Sequence, residues 1–263
     1  RRKRLVDRLN DGIGRRLILI SAPAGFGKTT LLSEWVSQSG TPTAWVSIDS
    51  SDNDPNCLIR YLIAALQTIE PDFASGVLEI LGSPHQLTVD SVMLFLIKEI
   101  ETFPKRFILV LDDYHLINTK EINRIIDLLL ERMPPQMCLA IGTRVDPEFP
   151  FSRLRVANQL TEIRISDLYF TKEEAALFFK QVMQLDLEED DIDRLISRTE
   201  GWVAGLQLAA LSMHGQEDIR AFIDNFAGND RLVVDYLTEE VLCRQSLEIQ
   251  DFLLKTSILD RLS

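Results

Sequence analysis

Over the first 165 residues, short apolar runs alternate with stretches of helical periodicity. The apolar runs are Leu17–Ile20, Thr43–Ile48, Phe107–Leu111, Cys138–Ile141 and Leu160–Ile165. Helical patterns fall between them near 28–38, 55–69, 89–102 and 119–132. Continuous apolar strands separated by helices predict a parallel sheet covered on both faces. The fold class expected is therefore α/β, followed by an all-helical part. After residue 170 no comparable strand run occurs. Thr171-Lys-Glu-Glu174 reads as a capping box opening a helix that continues through Ala175, Leu177, Phe178, Phe179 and Val182. Further helices are expected near 190–198, 202–213, 218–226, 230–243 and 247–256. The first domain boundary falls at 167–171. The last amphipathic pattern (Ile249, Phe252, Leu253, Leu254) runs almost to the end, as in a segment cut from a longer protein.

Composition changes this picture little. The 263 residues are 46% hydrophobic and 26% charged, ordinary for a globular chain. The net charge of −12 argues against a broad electrostatic grip on nucleic acid or an anionic membrane, though not against a local anion site. The charge is uneven: the first sixteen residues hold seven basic and two acidic side chains, a basic start on an acidic body. Three scattered cysteines and three histidines give no disulfide or zinc pattern, which fits a reducing cytoplasm. The N-terminal stretch, interrupted by Asp7, Arg8, Asn10 and Asp11, is not a secretory signal, and no run is long enough to span a membrane.

The chemistry concentrates at Ala22-Pro-Ala-Gly-Phe-Gly-Lys-Thr-Thr30, set between the Leu17–Ile20 strand and a helix beginning near Lys28. This is the context a Walker A phosphate loop requires. A turn entering a helix aims several amides at one point, and the helix dipole favours an anion there. The backbone of Ala24, Gly25, Phe26, Gly27, Lys28, Thr29 and Thr30 is the candidate nucleotide cradle. Lys28 would act on the β and γ phosphates, and the Thr29 hydroxyl would ligate Mg²⁺. Ala22 stands where the strict pattern has its first glycine; a small residue still fits the turn.

Phe107-Ile-Leu-Val-Leu-Asp112-Asp113 has the form of Walker B, with Asp112 as the Mg²⁺ carboxylate and Asp113 as the group that polarises an attacking water. Ile141-Gly-Thr143-Arg144 ends the next strand, and strand C-termini in an open α/β sheet face the ligand crevice. Thr143 and Arg144 are therefore expected to point at the γ-phosphate, with Arg144 separating ATP from ADP; a surface or structural role for Arg144 remains open. Asp49 reads as a turn residue or, less simply, as a further crevice carboxylate.

Taken together, these motifs resemble the nucleotide-binding part of the MalT-like STAND NTPases (signal transduction ATPases with numerous domains), large ATP-binding LuxR-type bacterial transcription activators. The matching stretches are Leu19–Trp35, Ala44–Asp49 with Asp52–Pro55, Leu109–His115, Thr143-Arg144, Arg153–Arg155, Asp167–Thr171, Thr199–Ala210 and Tyr236–Leu242. The resemblance implies a P-loop nucleotide-binding domain over 1–168, a helical domain over 169–228 and the start of a winged-helix domain over 229–263. It implies binding of ATP or ADP with Mg²⁺, self-association in the ATP state, and DNA contact only through a C-terminal domain outside this chain. It also places Arg2 and Arg4 in a segment that packs near the adenine; a solvated terminal arm is the other reading. Gly205-Leu-Gln-Leu208 takes the place of a Gly-Leu-Pro-Leu turn, with Gln207 where the proline would stand. A catalytic P-loop ATPase or small-molecule kinase is the alternative function. Arg153 and Arg155 are the close pair that a lid or an arginine finger would need. A scaffold with a vestigial site is opposed by the intact Lys28, Thr29, Asp112 and Asp113.

Overall fold

The computed structural model describes residues 2–82, 87–216, 218–228, 230–243 and 245–256. Asn229, where the expected third domain begins, and 257–263 within it lie outside the described residues. The chain divides into two compact units, one of Arg2–Pro23 with Gly27–Leu168, the other of Ala24–Phe26 with the chain from Tyr169 onward.

The first unit runs α1 (Lys3–Gly12), β1 (Leu17–Ser21), α2 (Lys28–Ser39), β2 (Thr43–Ser47), α3 (Pro55–Gln67), α4 (Ser75–Gly82), α5 (Val89–Ile100), β3 (Phe107–Asp112), α6 (Lys120–Arg132), β4 (Met137–Thr143), α7 (Phe151–Val156), β5 (Leu160–Arg164) and α8 (Ile165–Leu168). All pairings are parallel, in the order β2-β3-β4-β1-β5. The three central strands β1, β3 and β4 are buried at every residue, whereas the edge strands β2 and β5 include part-exposed positions. That is why the central strands read as unbroken apolar runs.

One face of the sheet is covered by α3, α5 and α6, whose Leu62, Leu66, Leu96, Ile97, Ile125 and Leu129 join Leu109, Leu111 and Ile141 in one core. Burying side chains of this size contributes about 1.5–3 kcal/mol each relative to exposure. Leu5 and Leu9 of α1 and Leu32 and Trp35 of α2 are also buried. The Trp35 indole donates to Asn10 Oδ1 (2.9 Å), tying α2 to α1. The pattern alone did not reveal α1, α4, α7 or α8; all but α1 have eight residues or fewer, too few for periodicity to declare itself.

The second unit begins with α9 (Lys172–Leu177), opened by the Thr171–Glu174 capping box with both reciprocal bonds formed. A wider π-type turn, Phe178–Val182, extends it. Then follow α10 (Glu189–Thr199), α11 (Val203–Met213), α12 (Ile219–Asn225), α13 (Arg231–Leu237) and α14 (Leu247–Thr256). The 230–243 pattern is α13 plus a π-type turn at Thr238–Leu242 rather than one continuous α-helix. Phe179, Leu195, Leu206, Ala209, Met213 and Ile223 form its core. No helix among the described residues is long and apolar enough to cross a membrane.

Candidate nucleotide site

Gly27 precedes α2 in the left-handed region (φ 72°), and Gly25 adopts the same hand (φ 79°). Only glycine enters that region without a Cβ penalty, so these two positions set the curl of the loop. Lys28 is the first residue of α2 and is 7% exposed. Its ammonium donates to the Pro23 carbonyl (3.0 Å). Burial lowers its pKa below the usual lysine value, the Arg144 guanidinium lowers it further, and Asp113 and Asp112 act in the opposite sense. Lys28, Arg144, Asp112 and Asp113 thus share one electrostatic neighbourhood.

Asp112, the last residue of β3, is 2% exposed. Burial raises its pKa, with the nearby Thr29 hydroxyl acting against the rise; its Oδ1 accepts from the Asp113 amide (3.1 Å). Thr29, in the first turn of α2, is near enough to Asp112 to act on its carboxylate, which brings the two expected Mg²⁺ ligands together. A buried carboxylate held above its ordinary pKa by desolvation fits a cation, because a positive charge would relieve that cost. Asp113 stands in the left-handed region (φ 56°) and starts a short 3₁₀ turn; His115 Nδ1 lies 3.8 Å from its Oδ1.

Gly142, which sequence reasoning passed over, earns its place sterically. A Cβ there would lie 2.5 Å from Asp112 Oδ1 and 3.0 Å from Leu32 Cδ1. The next residue corrects an expectation: the Thr143 side chain does not face the phosphates. It is fully buried and its hydroxyl donates to the Val145 carbonyl (2.6 Å). At the same sheet end Ser21 donates to Asp146 (2.7 Å), which also pairs with Arg164; this polar cluster had no sequence signature.

Within the second unit, the indole of Trp202 donates to the Ala24 carbonyl (3.3 Å) and the Ala204 amide to the Gly25 carbonyl (2.9 Å). Phe26 packs edge-on against Tyr169, ring centroids 5.5 Å apart. A trans peptide points its carbonyl and its amide to opposite sides. Fixing the Ala24 and Gly25 carbonyls therefore turns the Gly25 and Phe26 amides the other way.

Other sequence candidates are placed as follows. The Arg2 guanidinium donates to the Leu168 carbonyl (2.7 Å) and that of Arg4 to the Asp167 carbonyl (2.7 Å). Arg2 is buried and α1 is packed, so the solvated-arm reading is set aside. Asp49 accepts from the Ser51 amide (3.0 Å), as a turn residue does. Arg155 grips Glu162 with two bonds of 2.8 Å, and Arg153 pairs with Glu131 at 3.2 Å. Gly205–Leu208 lies within α11. Thr30 follows Lys28 and Thr29 in the first turn of α2.

A parallel sheet in this order, a glycine-shaped loop feeding α2 and a buried carboxylate, Asp112, near the buried Lys28 define a P-loop nucleotide-binding domain. No protein-family profile matches the chain. It is 35% identical over 260 residues to the HTH-type transcriptional regulator MalT of Klebsiella pneumoniae subsp. pneumoniae, covering 98% of this chain and 29% of that protein. It is 32% identical over 263 residues to the serine/threonine-protein kinase PknK of Mycobacterium tuberculosis, covering 99% and 24%. Among solved structures it resembles a STAND protein with a tetratricopeptide repeat sensor from Pyrococcus horikoshii, with TM-score 0.59, 18% identity, and coverage of 98% of this chain and 34% of that one. The Aeropyrum pernix ORC1 protein in complex with DNA matches with TM-score 0.53 and 15% identity, covering 98% and 72%; both likenesses concern the fold. The chain is MalT-like over nearly its whole length, resembling the nucleotide-binding part of the MalT-like STAND NTPases. It spans less than a third of the length of these sequence relatives.

Proposed function

We propose that the chain is the ATP/ADP-binding switch module of a MalT-like LuxR-type transcription regulator. In this reading the nucleotide state controls self-association, and hence DNA binding by domains outside the chain. The observation that carries it is the pair of buried, oppositely charged groups Lys28, at the start of α2, and Asp112, at the end of β3, close enough to act on each other. The amides of Ala24–Thr30 hold the phosphates, and Lys28 adds a charge where the β and γ phosphates would lie. Thr29 and Asp112 hold Mg²⁺, which when bound neutralises charge on the phosphates. Asp113 orients water for slow hydrolysis, and Arg144 senses the γ-phosphate. Arg2 and Arg4 line the adenine side through the backbone they brace. The domain division expected from the resemblance, 1–168, 169–228 and 229–263, belongs to this reading, as does a cytoplasmic location. A ligand shifts such a switch only by its differential affinity for the two states.

Lys28→Ala should lower ATP affinity at least tenfold in calorimetry while the circular dichroism and melting curve stay native. A charge-assisted contact is worth about 1.5–3 kcal/mol, enough for that loss. Unchanged affinity would remove the site. The PknK likeness keeps a second reading in view, since the same kind of segment occurs in a protein named as a kinase. A catalytic P-loop ATPase or small-molecule kinase would turn over many ATP molecules per minute without an inducer, whereas the switch reading expects tight binding with slow turnover.

A further inference from the structure

The end of the sheet where strands begin, opposite the phosphate loop, holds a cavity of about 620 Å³. Arg15 and Arg16 precede β1, Arg106 precedes β3, and α7 contributes Arg153; all four line it. Asp127 and Glu131 of α6 complete its polar wall, over an apolar floor that includes Met137 and Leu130. Four arginines against two carboxylates leave a local positive excess, inside a chain of net −12. None of this belongs to the nucleotide site. The two ends of a five-residue strand lie roughly 15 Å apart.

The arginines are held in place without being used up. Arg15 donates to the Leu160 carbonyl (2.8 Å), Arg16 to that of Leu130 (3.0 Å), and Arg106 to those of Ile13 (2.9 Å) and Pro135 (3.2 Å). A guanidinium carries five N–H donors, so each keeps donors to spare. Arg153 has Glu131 as its partner, while no carboxylate pairs with Arg15, Arg16 or Arg106 among the described residues. Oriented, uncompensated guanidiniums favour phosphate and carboxylate groups. The carboxylates of Asp127 and Glu131 stand in the same wall as acceptors. An ionised carboxylate only accepts, so it matches a hydroxyl on the occupant of the cavity.

We propose that this cavity is a binding site for a small hydroxylated anion, of the class of sugar phosphates and sugar acids. Arg15, Arg16 and Arg106 take the phosphate or carboxylate, and Asp127 accepts from a ligand hydroxyl. The cavity size falls within the range that encloses such ligands. Two opposed charge types in one wall exclude a purely apolar occupant.

The test is calorimetry on the chain saturated with Mg-ADP, which keeps phosphates off the P-loop. The probes are 6-phosphogluconate, ribose 5-phosphate and gluconate, with ribose and inorganic phosphate as controls. At least one of the first three should bind, ribose should not, and inorganic phosphate should bind at least tenfold more weakly. Binding of both phosphorylated probes with gluconate silent assigns the site to phosphates; gluconate alone assigns it to carboxylates. Arg106→Gln and Asp127→Asn should each weaken binding at least tenfold. Because Arg106 also braces two loops, a third variant fills space instead: Ala157→Trp, at an exposed lining residue, should abolish binding without removing a hydrogen bond. Failure of all three hydroxylated anions to bind, or binding that survives Ala157→Trp, overturns the proposal.

Discussion

Gly142→Ala puts the geometry of the metal side to a sharp test. The new Cβ would sit 2.5 Å from Asp112 Oδ1, where contact between a carbon and an oxygen needs well over 3 Å, and 3.0 Å from Leu32 Cδ1. Asp112 is 2% exposed and its Oδ1 accepts from the Asp113 amide, so its carboxylate cannot swing aside without breaking that bond. Leu32 is fully buried and gives little room in its own direction. Overpacking of this kind costs about 1–3 kcal/mol. At about 2 kcal/mol, a domain of this size should melt about 4–8 °C lower. The displaced carboxylate should also lose its metal. The decisive assay is calorimetric titration with ATP in Mg²⁺ and again in EDTA. The gain in affinity that Mg²⁺ confers on the native chain should shrink at least tenfold in the variant, about 1.4 kcal/mol. Binding without metal should change less, because Lys28 and the loop amides are not displaced. A variant that melts normally and keeps its full Mg²⁺ dependence would show that Asp112 is not confined as described, and the metal assignment would fall with it.

Two further outcomes follow from charged groups. Arg144→Ala should lower ATP affinity more than ADP affinity, measured by competition with a fluorescent nucleotide; equal losses would end its role as γ-phosphate sensor. Glu162 is pulled down to about 2 by its bonds to Arg155 and then Arg164, against burial, so the stability it lends is complete above its ordinary pKa and is lost as pH falls through about 2. Glu162→Gln should therefore cost at most about 1 kcal/mol at pH 7, given solvent screening, and its deficit in urea titrations should fade below about pH 4; a deficit independent of pH would exclude the ion pairs as its source.

What the sequence displayed was whatever is local along the chain. Lys28, Thr29 and the two left-handed glycines lie within five residues of one another, so their chemistry reads directly. Asp112 reads as the end of a buried strand because β3 is covered on both faces. What stayed hidden depends on which strands are neighbours. The order β2-β3-β4-β1-β5 places β4 between β3 and β1, and only that order presses Gly142 against Asp112. Thr143 looked like a phosphate contact because it ends a strand, but a hydroxyl that is fully buried takes the nearest carbonyl, that of Val145. Trp202 and Ala204 read as the start of an apolar helix, and nothing in their spacing tells that they bond the Ala24 and Gly25 carbonyls, 178 residues earlier in the Trp202 case.

The basic start shows the same limit from the other side. Its excess of positive charge read as one feature, a cationic arm. Folding α1 breaks it in two, since a helix of ten residues carries its ends about 15 Å apart. Arg2, Arg4 and Arg8 gather on Asp167 and Leu168 at the beginning and middle of α1. Arg15 and Arg16 follow its end, immediately before β1, and look into the cavity at the far end of the sheet. Salt screens exposed charges beyond a Debye length of about 8 Å, and the net charge of −12 opposes any long-range pull on anions. In both groups the guanidiniums are fixed by backbone carbonyls, as the amides of the phosphate loop are set by glycine conformations. For this chain the sign of the total charge is therefore a poor guide to anion sites; in the two sites proposed, the positions of fixed donors set them.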